Sequence, residues 1–103
     1  LGKKDNGKSS LEQFGLAFQD LTPELGERLG FQDKEGVVVS QVEPGSPASS
    51  AGMRPGQLVE EVNRERVSNL KDLAKALKNS RSDKILLRVR TGNYSTYVVL
   101  AAK

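Results

Sequence analysis

The feature that most constrains this chain is the β-branched run Val37-Val38-Val39-Ser40-Gln41-Val42, bounded by Gly36 before it and by Glu43-Pro44-Gly45-Ser46-Pro47 after it. Branched side chains suit a pleated strand, and three in succession are expected where a strand is covered on both faces. The Pro and Gly cluster beyond it ends the strand and turns the chain. Pro47 to Ala51 is a small-residue stretch suited to one helical turn closed by Gly52, and Arg54-Pro55-Gly56 form a tight turn. Leu58, Val59 and Val62 make the next strand, which Asn63 and Arg64 turn onto a brief return strand at Val67.

Upstream, Leu16 to Gln19 read as a first strand, and Thr22-Pro23-Glu24 as a helix start, with Thr as cap and Pro at the first helical position; this short helix stops by Gly30. Downstream, Ser68 or Asn69 caps one long helix, where Leu70, Leu73, Ala74 and Leu77 recur at helical spacing while Lys71, Asp72, Lys75 and Lys78 face water. Ile85, Leu87 and Val89 alternate with Leu86, Arg88 and Arg90 before a turn at Gly92 and Asn93, and Tyr94 to Ala101 return as the partner strand. The order implies an α+β, mainly β, domain: a small, partly open antiparallel barrel or sandwich capped by one long and one or two short helices. Residues 1–10, LGKKDNGKSS, read as a solvated linker from a preceding domain, leaving 11–103 as the fold.

The residue inventory excludes most chemistry. The 103 residues contain neither His nor Cys, so Ser/His and Cys/His nucleophiles, disulfides and the usual imidazole and thiolate metal ligands are all absent. Glu60 and Glu61 are neighbours on a strand and point to opposite faces, Glu24 and Glu27 lie on an exposed helix, and Glu43 to Ala51 lacks the Lys of a P-loop. The net charge of +3 is spread among alternating acids and bases, and the five aromatic residues adjoin no basic run, which speaks against nucleic acid. No apolar stretch approaches the roughly 20 residues that span a bilayer. No catalytic residue, metal or cofactor is expected, and no membrane insertion.

One segment suggests binding. In Phe14-Gly15-Leu16-Ala17-Phe18, a Gly between bulky apolar residues ahead of a strand can let successive main-chain N–H groups converge on an anion such as a peptide's terminal carboxylate. With one strand edge open opposite the long helix, an extended peptide would add there, its last side chain dropping between Phe14, Leu16 and Leu77. Taken alone, the same residues read first as ordinary core with Gly15 as loop punctuation, and the Leu70, Leu73, Ala74, Leu77 stripe reads by default as core-facing.

A longer pattern separates these readings. Gly36-Val37-Val38-Val39, Val42-Glu43-Pro44-Gly45-Ser46-Pro47-Ala48, Ala51-Gly52-Met53-Arg54-Pro55-Gly56 and Val62-Asn63 together resemble the PDZ family, and particularly its bacterial HtrA/Deg branch. Leu21-Thr22-Pro23-Glu24-Leu25 with Leu29-Gly30 looks like the insert of those proteases, and Leu1-Gly2 like the end of a preceding PDZ domain. The resemblance implies a circularly permuted PDZ fold completed by Tyr94 to Ala101, the second of two such domains in its parent. It implies a groove between Leu16–Gln19 and the long helix, a carboxylate-binding loop at Phe14, Gly15 and Leu16 continuing into Ala17 and Phe18, and a facing wall of Leu70, Ala74 and Leu77, with Leu73 in the core. Two positions depart from the family pattern. Gln57 replaces the usual Asp, and Arg64 replaces the usual Gly after Asn63, which puts that turn's type in question.

The same resemblance implies a non-catalytic peptide-binding module of a periplasmic or cell-envelope serine protease engaged in protein quality control. Its partners would be peptide or unfolded-protein C-termini, and other subunits or PDZ domains of the parent. The alternative is an assembly domain with little peptide binding, and reuse of the fold in membrane-embedded or tail-specific proteases is a third context.

Overall fold

Residues 8–11, 14–78 and 84–101 are described by the structure, a computed structural model. Their elements run in order as β1 (Lys8–Leu11), β2 (Leu16–Asp20), α1 (Pro23–Leu29), β3 (Val37–Val42), α2 (Pro47–Ser50), β4 (Leu58–Val62), β5 (Glu65–Arg66), α3 (Leu70–Lys78), β6 (Lys84–Thr91) and β7 (Tyr94–Ala101). The strands form one antiparallel sheet in the order β1-β2-β3-β4-β6-β7, with β5 pairing β4 to the side of this path. It is the mainly β, open antiparallel architecture with a few helices that the sequence implies, completed at one margin by the C-terminal strand β7.

The valine run explains the layering. Val37 and Val39 enter the main core, with Phe14, Leu16, Phe18, Met53, Val59, Val62, Val67, Leu73, Leu87, Val89 and Leu100 among its members. Val38 points the other way, into a smaller cluster with Phe31 and Leu58 that Leu21, Leu25 and Leu29 cover. Both faces of β3 are therefore dry over residues 37–39, which is why its start shows no polar alternation, whereas Gln41 farther on is exposed. Helix α1 supplies that second cover. Thr22 accepts a hydrogen bond from the Leu25 N–H, Pro23 opens the helix, and Gly30 ends it in the left-handed conformation.

The hairpin joining β4 and β5 answers the question raised by Arg64. Asn63 and Arg64 both have positive φ, 52° and 70°, so the turn keeps the left-handed form that Asn-Gly would favour, with Arg64 in the strained position. Val67 lies just beyond β5 rather than on it, and is a buried plug whose N–H bonds to the Glu60 carbonyl at 3.0 Å. At the start of the chain, Lys8, Ser9 and Ser10, whose composition suggests linker, pair with β2 as strand β1. Residues 1–7, and with them the Leu1-Gly2 likeness to a preceding domain, lie outside the described residues.

Candidate functional site

Strand β2 is where the candidate residues converge. Its alternation turns Leu16 and Phe18 into the core and leaves Ala17 and Gln19 partly exposed. Against β3 the register slips between Ala17 and Phe18, from Ala17 opposite Gln41 to Phe18 opposite Val39, so Ser40 is an extra residue on the partner strand. Gly15 precedes the strand at φ +77°. A Cβ there would sit 2.3 Å from Ser46 Cβ and 2.5 Å from Ser46 Oγ, so only glycine fits. Ser46 cannot easily yield: its Oγ donates to the Glu43 carbonyl at 2.6 Å and accepts from the Ser49 N–H at 3.1 Å, capping α2. The Gly15 carbonyl in turn accepts from the Glu43 N–H at 2.9 Å, which fastens the loop ahead of β2 to the loop after β3.

Helix α3 supplies the facing side. Asn69 is its cap, accepting from the Asp72 N–H at 2.9 Å, and Asp72 reaches back to the Ser68 N–H at 3.0 Å. A third acceptor comes from β2 itself, since Asp20 Oδ1 takes the Leu70 N–H at 2.8 Å. Leu73 and Ala76 are buried in the main core, Leu70 and Leu77 pack against its border, and Ala74 is exposed. Leu70, Ala74 and Leu77 therefore lie at or outside the border of the core, apart from the buried Leu73. Phe14, Gly15, Leu16 and Phe18 are all buried, and Ala17 is half-buried.

The margin of β2 differs from expectation. A strand has two hydrogen-bonding edges, and the open one anticipated opposite the long helix is paired. β3 takes one edge and β1 the other, with Lys8 opposite Gln19, Ser9 opposite Phe18, Ser10 opposite Ala17 and Leu11 opposite Leu16. Sequence reasoning missed this segment because its composition is that of solvated chain. It also missed Asp20 and Ser46, a terminal strand acid and a turn serine whose roles depend on partners distant in the chain or on a glycine's shape.

A second, charged region lies across β4, β6 and β7. Arg90 Nε donates to Glu60 Oε2 at 2.9 Å, Ser95 Oγ donates to Glu60 Oε1 at 2.9 Å, and Arg88 Nε lies 3.2 Å from Glu60 Oε1. Arg88 also reaches Glu61 at 3.8 Å and stands over the Tyr97 ring at 5.9 Å. Glu60 and Glu61 thus meet one arginine instead of facing opposite ways as strand alternation predicts, at a place where the register of β4 against β6 shifts between Val59 and Glu61. Burial alone would raise the Glu60 carboxyl, but the hydrogen bonds from Arg90 and Ser95 and the charges of Arg90 and Arg88 outweigh it and hold the group below its ordinary value. The cleft beside this network, about 460 Å³, is lined by acids and bases together, including Asp33, Glu35, Arg66 and Arg88. Among the described residues no buried side-chain polar atom lacks a partner, no acidic cluster is arranged to hold a metal ion, and no helix is long and apolar enough to cross a membrane.

A strand margin beside a capped helix, entered through a glycine that tolerates no side chain, defines a class. The sequence profile of the PDZ domain family matches residues 38–91, just over half of the chain, and the chain belongs to that family. Its relatives are HtrA/DegP-type proteases. It is 43% identical over 97 residues to the "Probable periplasmic serine endoprotease DegP-like" of Chlamydia trachomatis serovar D and 45% identical to the protein of that name from Chlamydia muridarum; each match covers 93% of this chain and 20% of the relative. The chain thus spans about a fifth of the length of these curated relatives, whose name carries the expected periplasmic setting. Among solved structures it resembles the HtrA-type protease AlgW with a decapeptide (TM-score 0.71, 25% identity, 85% of this chain and 27% of that one). It also shares the fold of the HtrA3 PDZ domain bound to a phage-derived ligand (TM-score 0.72, 24% identity, 93% and 86% covered).

Proposed function

We propose that this domain recognises apolar C-terminal peptide segments by addition of a strand to the outer margin of β2, and so regulates or supplies substrate to a serine protease domain elsewhere in its parent. In this reading the main-chain amides around Phe14, Gly15 and Leu16 receive the terminal carboxylate, Ala17 and Phe18 continue the ladder, and Leu70, Ala74 and Leu77 line the opposite wall. The observation that carries the reading is the pairing of Lys8–Leu11 with β2: this margin accepts an extended segment whose C-terminal end lies toward Gly15. The decapeptide in the AlgW structure adds support by likeness.

The test is shift perturbation of the isotopically labelled chain by pentapeptides ending in an apolar residue, each with a free carboxylate and again as the C-terminal amide. Shifts are expected at Gly15 to Phe18 and along Leu70 to Leu77, and amidation should abolish them. Because Ala74 is exposed, Ala74→Arg should fold normally and weaken binding about tenfold, equivalent to about 1.4 kcal/mol. Leu16→Asp is the poorer probe, since Leu16 is only 2% exposed and a charge there would unfold the chain. Perturbation confined to other surfaces would overturn the reading.

An assembly role is favoured by one separate observation: Tyr97 and Val99 on β7 are 56% and 60% exposed on a marginal strand, an apolar surface open to a neighbouring subunit. Removing the domain from the parent protease would then change its oligomer size on a sizing column while leaving peptide affinity aside.

A further inference from the structure

We infer that Lys8–Leu11 is a built-in competitor for the peptide margin, so that ligand binding requires this segment to leave β2. The inference rests on the strand-addition reading and concerns the regulation of the same site. β2 offers two edges and β3 fills one, so β1 and an added peptide must use the same donors and acceptors. Their polarity also coincides. β1 runs antiparallel to β2 with Leu11 opposite Leu16 and Lys8 opposite Gln19, which places its C-terminal end at the Gly15 loop, where a bound tail would end.

The balance between the two states is set to be movable. Lys-Ser-Ser-Leu is a poor strand former with a single large apolar side chain, and it contributes only four cross-strand pairs. Its advantage is attachment. Only residues 12–15 separate it from β2, so its effective concentration at the margin is high whatever its intrinsic affinity. An apolar tail with a free carboxylate brings interactions that the continuous chain cannot, and it wins once those exceed the benefit of tethering.

The experiment uses the full chain and fluorescein-labelled pentapeptides with free carboxylates, ending in Val, Leu, Ile, Phe or Ala. Adjacent residues of an antiparallel strand alternate in the direction of their N–H groups. Of Ser9→Pro and Ser10→Pro, therefore, one removes a bond to β2, and neither alters a proposed groove residue. That variant should bind the tightest peptide at least about fivefold better, the gain expected if the open state is about a fifth of molecules or fewer. The opposite perturbation is Lys8→Cys with Gln19→Cys, facing positions in a chain that has no other cysteine. Its oxidised form should lose binding at least about fivefold and regain it on reduction.

Amide hydrogen exchange gives a readout without ligand: exchange along β2 should quicken in the proline variant. Unchanged affinity in both proline variants and in the oxidised pair, with binding intact, overturns the competitor while strand addition stands. In the unaltered chain, lack of protection at the β2 amides that face β1 would do the same. Shifts confined to other surfaces, or no binding by any variant, remove the strand-addition reading and the competitor with it.

Discussion

Where β2 meets α3, the side chains that would select a ligand are rooted in the hydrophobic core: Leu16 and Phe18 belong to the same cluster as Leu73 and Ala76, with Leu70 and Leu77 at its border. Across β4, β6 and β7 the outward side chains form instead a web of Glu60, Glu61, Arg88, Arg90 and Ser95. Apart from the exposed Ala74, the first region cannot be changed without changing stability, because its other proposed wall residues lie in the core or pack against it. The second is supported mainly by partly solvated charge, where each pair contributes little. On the peptide-binding reading proposed above, binding and folding are therefore coupled on one side of the molecule and nearly independent on the other.

The largest test of that contrast is Phe18→Ala. Phe18 is fully buried, and its truncation should cost roughly 3–5 kcal/mol in urea unfolding and remove peptide binding through loss of the fold. Next comes Gly15→Ala, with about 1–2 kcal/mol from the left-handed backbone and a further cost from the Ser46 collision. Adding Ser46→Gly should recover at most the collision part, less what is lost with the Ser46 bonds to Glu43 and Ser49, because the φ of +77° remains. Arg64→Gly acts in the other direction: relieving a positive φ of 70° should raise stability by about 1 kcal/mol without altering peptide affinity.

Glu60→Gln should have the smallest effect, roughly 0.5–1 kcal/mol at neutral pH. Since the folded Glu60 titrates below its ordinary value of 4.5, its contribution is complete above that pH and fades as pH falls through the lower folded value. The difference between Glu60→Gln and the unaltered chain should accordingly shrink in chemical unfolding below pH 4.5. A loss as large as that of Phe18→Ala would erase the distinction between the two regions.

Much of this could be read in the residues because it depends on local patterns. The valine run announces a strand dry on both faces, Thr22-Pro23 and Gly30 frame a helix, and Ile85, Leu87 and Val89 alternate inward. The split between Leu73 and the Leu70, Ala74, Leu77 stripe was legible only through family likeness, since periodicity does not distinguish a groove from a core. Two features were hidden for physical reasons. β1 is held by backbone pairing, which leaves no signature in side chains as polar as Lys8, Ser9 and Ser10. Asp20 looks like any solvated acid, and its partner Leu70 lies fifty residues along the chain.

That carboxylate has a mechanical consequence. A helix anchored by its first amide to the last residue of the neighbouring strand is pinned at that end. With Leu73 and Ala76 seated in the core beyond that pin, the end beside Asp20 is the part of the wall least able to yield. On the peptide-binding reading, a tail of greater bulk would have to find its room farther along the helix.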